Sequence, residues 1–355
     1  MHPTNGRQRH LPREVVYMLQ FFRNSAAALL LTAAWSAVAQ QPSNTPGSMV
    51  VNAFASPDTG DLTKTEVQVL DNKTVKPLIS LKRLTSSEEP VHVILAVDAV
   101  NIGFSRVAYA RAQVQKFLRA NEGKLAFPTT FVVVTDKSTE IQKEFSTDGN
   151  ALSESLGKYD IGLRIVRRDS GFWGADERVG ISLNAFRALT GYAATIPGRK
   201  LLIWISPGWP LLSGVRVNLD SKQQQRIFTN VVAFSKELQQ ANLTLYNVNP
   251  LGPEEDLLRA NYYESFLKGV TRPSQTDVAD LSLQVLAVQS GGLATTNSSD
   301  VAGNIERCLR DAGSWYELTL PVSSAEHPDE YHHLEIKVSK PGVTLRTRDG
   351  YYAQP

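Results

Sequence analysis

Asp98 closes the run Val91-His92-Val93-Ile94-Leu95-Ala96-Val97, and a carboxylate at the end of such a run is a candidate for ligand or ion chemistry. Apolar, mostly β-branched residues with no alternating polar positions suit a strand buried on both faces of a parallel sheet. Open α/β sheets hold their ligands beyond the carboxyl ends of such strands, where strand order reverses. A second reading is local: an Asp here also caps the loop that follows. Both readings stand on the sequence. Asn101 lies three residues on, and Ser206-Pro207-Gly208-Trp209-Pro210 follows a second very apolar run, Leu201-Leu202-Ile203-Trp204-Ile205. A doubly wound topology sets the ends of these two strands side by side, so Asp98, Asn101, Ser206 and Trp209 are the candidate binding residues. Trp209, between rigid neighbours, is either an aromatic anchor for a partner or a cover over the sheet end.

Other reactive side chains do not assemble into a reaction centre. Beyond the leader the histidines are His92, His327, His332 and His333. His332 and His333 are adjacent in an expected strand and point to opposite faces, which makes them poor co-ligands and suits surface residues. There is no His-Glu-x-x-His, no Gly-x-Ser-x-Gly and no phosphate loop. Gly171-Phe172-Trp173-Gly174 stands too much alone to be a nucleotide fingerprint, and Glu254-Glu255-Asp256 reads as solvated charge. Hydrolysis by Asp98 with Asp136 or Asp176 is the enzymatic alternative. Only Asp98 is placed by pattern, so the chain is read as non-enzymatic. Cys308, the single cysteine, falls on one helical face with Val301, Ile305 and Leu309 and reads as a buried small hydrophobe.

The elements that must position these residues alternate. Ser105 is expected to cap a helix carrying Val107, Ala110, Val114, Phe117 and Leu118 on one face, with Gly123 beyond its end. Strands follow at Phe131–Val134 and near Thr139–Phe145. Residues 146–175 are weakly patterned, and a helix is expected over Asp176–Ala193. Ser221 opens a capping box with Gln224 before a helix bearing Ile227, Val231, Phe234 and Leu238. Leu243–Val248 is a strand, 250–275 a polar excursion, Asp277 a cap, and Leu293–Thr296 a last short strand. This alternation gives an α/β fold with a doubly wound, mostly parallel sheet. Period-two strands flank it: Met49–Val51, Thr65–Val69 and Pro77–Leu81 before, and Tyr316–Leu320, Tyr331–Val338 and Val343–Thr347 after. Turns are expected at Asp71-Asn72 and Pro341-Gly342. The domain plan is a signal peptide over 1–39, a linker over 40–48, an N-terminal β segment over 49–84, an α/β domain over 91–312, and a C-terminal β segment over 313–355. The two β segments are expected to pack together as one small module, leaving 91–312 able to fold alone.

Export is read from the start of the chain. Arg7, Arg9, Arg13 and Arg23 precede the apolar run Ala26–Trp35 and the small-x-small site Ala37-Val38-Ala39. That run is shorter than the roughly 20 residues needed to span a bilayer, and no later run approaches that length. Met18 is an alternative start. The 355 residues carry a formal charge of +2; removing 1–39 takes away four arginines and one glutamate and leaves the rest slightly acidic. Nothing in that balance favours nucleic acid. With one cysteine, no intramolecular disulfide forms, and stability rests on the hydrophobic core.

A strand ending in Asp98 inside a doubly wound unit resembles the von Willebrand factor A-type domain. Further runs resemble its acidobacterial VWFA-related branch: Gly198-Arg199-Lys200 leading into Trp204-Ile205-Ser206-Pro207-Gly208-Trp209-Pro210, Ser290-Gly291-Gly292-Leu293-Ala294, and Arg346-Thr347-Arg348-Asp349-Gly350-Tyr351-Tyr352-Ala353. The resemblance covers about residues 49–355 and implies an exported protein with a Rossmann-like A-type core. The wider family holds Mg²⁺ with Asp-x-Ser-x-Ser after the first strand, a Thr in a later loop and an Asp after the fourth strand, a set of hard oxygen ligands. Here Asp98 alone matches. Val100 and Ile102 stand at the two serine positions, and Ser206-Pro207-Gly208 replaces Thr-Asp-Gly. Asn101, Ser105 and Asp176 carry oxygens that no motif places. The expectation is therefore no cofactor, with Mg²⁺ the alternative. The function expected is a non-catalytic interaction module of adhesion or scaffold type, bound to a protein or envelope component. Its expected location is periplasmic, outer-envelope or secreted. A structural envelope-assembly component is the alternative.

Overall fold

The computed structural model describes residues 47–56, 59–159, 171–209, 219–252, 262–295 and 298–355, without the side chains of 104–105, 171–173 and 262. The expected signal peptide, most of the linker and part of the 250–275 excursion lie outside the described residues. In chain order the elements are β1 (Ser48–Phe54), β2 (Val67–Asp71), β3 (Thr74–Lys76), β4 (Ser80–Thr85), β5 (Val91–Asp98), α1 (Phe104–Arg119), β6 (Lys124–Val134), β7 (Thr139–Ile141), β8 (Ser146–Asp148), α2 (Gly149–Lys158), α3 (Gly171–Ala194), β9 (Arg199–Ile205), α4 (Ser221–Gln240), β10 (Leu243–Val248), α5 (Leu283–Gln289), β11 (Ala294–Thr295), α6 (Val301–Gly313), β12 (Ser314–Pro321), β13 (Glu330–Val338), β14 (Arg346–Thr347) and β15 (Gly350–Ala353).

The central sheet runs β11-β10-β9-β5-β6-β7, with β8 also on β6. Pairs among β5, β6, β9, β10 and β11 are parallel, and β7 and β8 are antiparallel additions. It is a doubly wound α/β sheet, and the order reverses between β5 and β9. Strand alternation shows why β5 is apolar throughout. Val93, Leu95 and Val97 pack with α1, α2 and α6, while Ile94 and Ala96 pack with α3, α4 and α5. Cys308 is wholly buried in the first of these cores, and burial pushes its thiol pKa far up. No helix among the described residues is long and apolar enough to cross a membrane.

Two antiparallel sheets form the flanking β structure, ordered β14-β1-β12-β4 and β15-β13-β2-β3. Met49, Val51, Tyr316 and Leu318 of one face Val67, Val69, Leu334 and Tyr351 of the other in a single core. Phe54 and Trp315 reach out of this sandwich into the α1–α6 core, and Tyr352 into the α4–α5 core.

Several local expectations are corrected. Helix α1 is capped by Gly103, so Ser105 sits in its first turn. The α4 capping box is Asp220 with Gln223, one residue earlier than Ser221 with Gln224, because the aspartate accepts the N3 amide equally well. Asp277 caps a short 3₁₀ turn ahead of α5. The β2–β3 turn is Asn72-Lys73, both at positive φ (48° and 68°), the conformation a two-residue hairpin demands. Helix α2 lies in the stretch read as weakly patterned, and β15 is a strand that the alternation analysis did not mark.

One buried acid here carries a pH-dependent prediction. Asp280 is almost wholly buried near the Asp277 carboxylate, and burial pushes its pKa up to about 7. An acid with a raised folded pKa destabilises the fold progressively as pH rises from its unfolded value near 4 through about 7. Asp280→Asn removes that cost while keeping an oxygen for the Asp277 amide it accepts at 2.7 Å. Urea denaturation at pH 8 is expected to show Asp280→Asn more stable than the parent by on the order of 2 kcal/mol, with the gap closing near pH 4. An equal gap at both pH values would rule out the ionisation cost.

Candidate functional site

Strands β5 and β9 end side by side at the point of reversal, and the side chains there close on one another. Asp98 is fully buried. Its Oδ1 accepts the main-chain N–H groups of Val100 (2.8 Å) and Asn101 (2.9 Å), the local loop cap. Its Oδ2 accepts the Asn101 amide at 2.8 Å, the Ser206 hydroxyl at 2.7 Å and the Trp204 indole N–H at 3.4 Å. The cap and the cross-strand link thus use the same carboxylate. Ser206 Oγ in turn accepts Gly208 N–H, and Asn101 Nδ2 also donates to Ser182 Oγ on α3. Asn247 of β10 donates to the Ser206 carbonyl at 2.8 Å.

Trp209 is 5 % exposed. Its ring meets Trp204 (centroids 5.5 Å) and Phe186 (5.9 Å) edge to face, so it covers the sheet end. The turn that delivers it rests on Gly208 at φ +104°, where a Cβ would strike the Gln284 amide at 2.3 Å. Of the four candidate residues, then, all converge, three are buried, and Asn101 is part-exposed. Asp176 is exposed on α3, and no hydrogen bond among the described residues joins it to Asp98.

The donor set decides what this arrangement can hold. A Mg²⁺ ion requires oxygen lone pairs in an octahedral shell. Here both Asp98 oxygens are turned to N–H and O–H donors, and the Ser206 hydroxyl points its proton at Asp98. Val100 and Ile102 are buried in the two cores on opposite faces of the sheet. These residues do not fit a metal site of the A-type pattern.

Trp204, Ser182 and Asn247 belong to this cluster, and sequence reasoning did not select them. Asn247 carried a signal, an amide inside an otherwise apolar buried strand, which demands partners. Asn101 Oδ1, Asn247 Oδ1 and Trp209 Nε1 are buried at this end of the molecule without a partner among the described residues.

His332 corrects the expectation of two surface histidines. It lies inside the β sandwich because Asp71 is buried there as its partner, with Nδ1 at 2.8 Å. Ser323 and Tyr351 donate to the same carboxylate. Burial alone would raise the Asp71 pKa, but these hydrogen bonds outweigh it and hold the group below its usual value. The serine and histidine bind the aspartate separately, which is not the relay of a hydrolytic triad. His333 points to the other face and is half-exposed.

Parts of the runs that carry the family resemblance, around Arg199, Gly291 and Arg346, lie along the seam between the α/β unit and the sandwich. Arg199 is fully buried between the rings of Phe54 (4.5 Å) and Trp315 (4.9 Å) and donates to the Asp311 carbonyl at 2.6 Å. Arg346 pairs with the Asp311 carboxylate, which also accepts the Tyr246 hydroxyl at 2.7 Å. Lys200 donates to the carbonyls of Ile196 and Gly198 just past α3, and burial lowers its pKa to about 8. Gly292 lets the chain approach β10, since a Cβ there would lie 1.8 Å from the Leu245 oxygen.

No family model and no curated protein sequence matches the chain. Among solved structures it is similar to the manganese-loaded TRAP protein of Plasmodium vivax, at 11% identity and a TM-score of 0.29, over 76% of this chain and 96% of that one. The site is therefore argued from its own residues.

Proposed function

We propose that this chain is an exported, non-catalytic interaction module on a von Willebrand factor A-like core whose metal-ion-dependent adhesion site is degenerate. Its partner is a protein or envelope component, recognised at the carboxyl ends of β5 and β9. Asn101, part-exposed, orders the surface of that face through its bonds to Asp98 and Ser182, and Asp98, Ser206 and Trp209 hold it rigid from beneath. The observation that carries this reading is the convergence of Asp98, Asn101, Ser206 and Trp209 at that end of the sheet, where Asn101 Oδ1, Asn247 Oδ1 and Trp209 Nε1 are buried without a partner among the described residues. Buried polar groups without partners are costly and call for a role. The switch point between oppositely wound halves is also where this class of sheet engages ligands. A carboxylate saturated by five donors supports neither hydrolysis nor tight cation binding.

Affinity capture from native envelope with the full chain, followed by partner identification, tests the reading. Capture is expected to be specific and to weaken in Asn101→Ala. Capture unaffected by Asn101→Ala would move the binding face elsewhere, first to the 250–275 region. Calorimetry with Mg²⁺, Mn²⁺ and Ca²⁺ is expected to detect no binding tighter than millimolar. A micromolar site lost in Asp98→Asn would overturn the metal-independent reading, and substrate turnover lost in the same variant would overturn the non-catalytic one.

A further inference from the structure

The sequence treats the two edges of the β1-containing sheet differently. Strand β4 carries exposed Lys82 and Arg83 on its outer edge, side chains that keep an edge from pairing. The other edge has no such guard. Short β14 pairs with β1 only at Ala53 and Phe54. Upstream, β1 reads Met49-Val50-Val51-Asn52, without charge.

Register fixes which main-chain groups turn outward there. Val322 N–H donates to the Gly47 carbonyl, continuing the β1–β12 ladder, so Met49 and Val51 turn their main chain to β12 and Val50 turns its own outward. The Thr347 hydroxyl donates to the Asn52 carbonyl from that same outer side. Val50 opens on a cleft of about 490 Å³ between β1 and the last turn of α4. Gln239, Gln240 and Asn242 form its far wall. Lys236, the cation on that wall, is neutralised by Asp329 at 2.7 Å.

We propose that this cleft binds an extended, uncharged peptide segment of a partner protein, added as a strand to β1 where β14 leaves off. A groove between an open strand edge and a helix is the geometry of strand addition. The Gln239 and Gln240 amides offer the donor and acceptor that a peptide group requires, while Asn242 is held by Asn52 and Glu89. The pairing continues one that β14 already makes, and the neutral lining selects against charged segments. The cleft lies apart from the β5–β9 sheet end, so either proposal can fail without the other.

The test uses the full chain with a blocked, alternating Thr/Val peptide and the same peptide N-methylated at every second residue. Hydrogen exchange at the Val50 amide is expected to slow roughly tenfold or more with the first peptide and not with the second. Val50→Pro removes only an outward N–H on an edge, so it is expected to keep the fold and weaken the peptide roughly tenfold. If that variant does not fold, Gln239→Ala with Gln240→Ala at the helix end is expected to weaken binding with an unchanged melting temperature. Equal binding of both peptides, or unaltered Val50 exchange, would overturn the proposal. So would a concentration-dependent dimer in sedimentation that protects Val50 without peptide, since the occupant would then be a second copy.

Discussion

Asp98→Ala is expected to cost the fold about 3–5 kcal/mol, with the same loss in EDTA and in Mg²⁺. The variant leaves Trp204 Nε1–H, the Ser206 hydroxyl, two loop N–H groups and the Asn101 amide without their acceptor in a water-poor site. Each orphaned buried donor carries its own desolvation penalty, and they are lost together. Asp98→Asn sharpens the test. An amide has one acceptor oxygen, so its NH₂ must face either the loop N–H groups or the three donors on Oδ2. It is expected to recover only a minor part of the loss. In a cation site the same substitution would damage binding and leave the apo fold nearly intact. Denaturant midpoints for the parent and both variants, each with and without Mg²⁺, separate the two. A variant as stable as the parent in EDTA would sink the structural role assigned to Asp98.

The seam predicts a second large effect. Asp311→Ala removes the carboxylate shared by Arg346 and Tyr246 and lying beside the buried Arg199, so a buried guanidinium and a part-buried one lose a counter-charge. Breaking a buried ion pair from one side typically costs about 3–5 kcal/mol. Burial already drives the Arg199 pKa down, against the pull of Tyr246, Asp311 and Glu89. Arg199→Met is expected to be far milder, within about 1 kcal/mol of the parent. It fills the slot between Phe54 and Trp315 with an apolar chain, and Asp311 keeps Arg346 and Tyr246. Equal damage from both variants would show that Arg199 acts through its charge and not its packing. The same contacts bear on the 91–312 segment. Alone, it lacks Phe54, Trp315 and Arg346, which leaves Arg199 without its covering rings, so the cooperativity of its unfolding is the measurement that decides whether 91–312 folds alone as expected.

The central layer was legible because its signal is local. The apolar runs of β5 and β9 have no polar alternates, and that pattern fixes strands covered on both faces. Asp98 was legible as a strand-end carboxylate, and the resemblance supplied the comparison that made Val100 and Ile102 informative. Its role was not, because the Ser206 and Trp204 donors lie more than a hundred positions along the chain. Helix α2 was hidden by its brevity and its opening Gly149-Asn150. His332 was misplaced because alternation says which residues share a face, not that Asp71 waits there. The conspicuous runs around Arg199, Gly291 and Arg346 were legible as runs, yet their spacing says nothing of the seam they form.

The sandwich also sets a clock on folding. Thr347 meets Asn52 across 295 positions, and β12 and β13 pair with β1 and β2 from beyond the whole α/β unit. During synthesis β1 emerges without a strand to pair with, and β2 has only the short β3, until β12 and β13 have followed. Such distant pairing is entropically late and slow. The α/β unit meanwhile waits with the Arg199 slot unroofed. The sandwich therefore stays open until those distant strands are made, and it closes around the α/β unit only then. Loss of β15 should be felt as far away as β2, through the β13 strand that the two share.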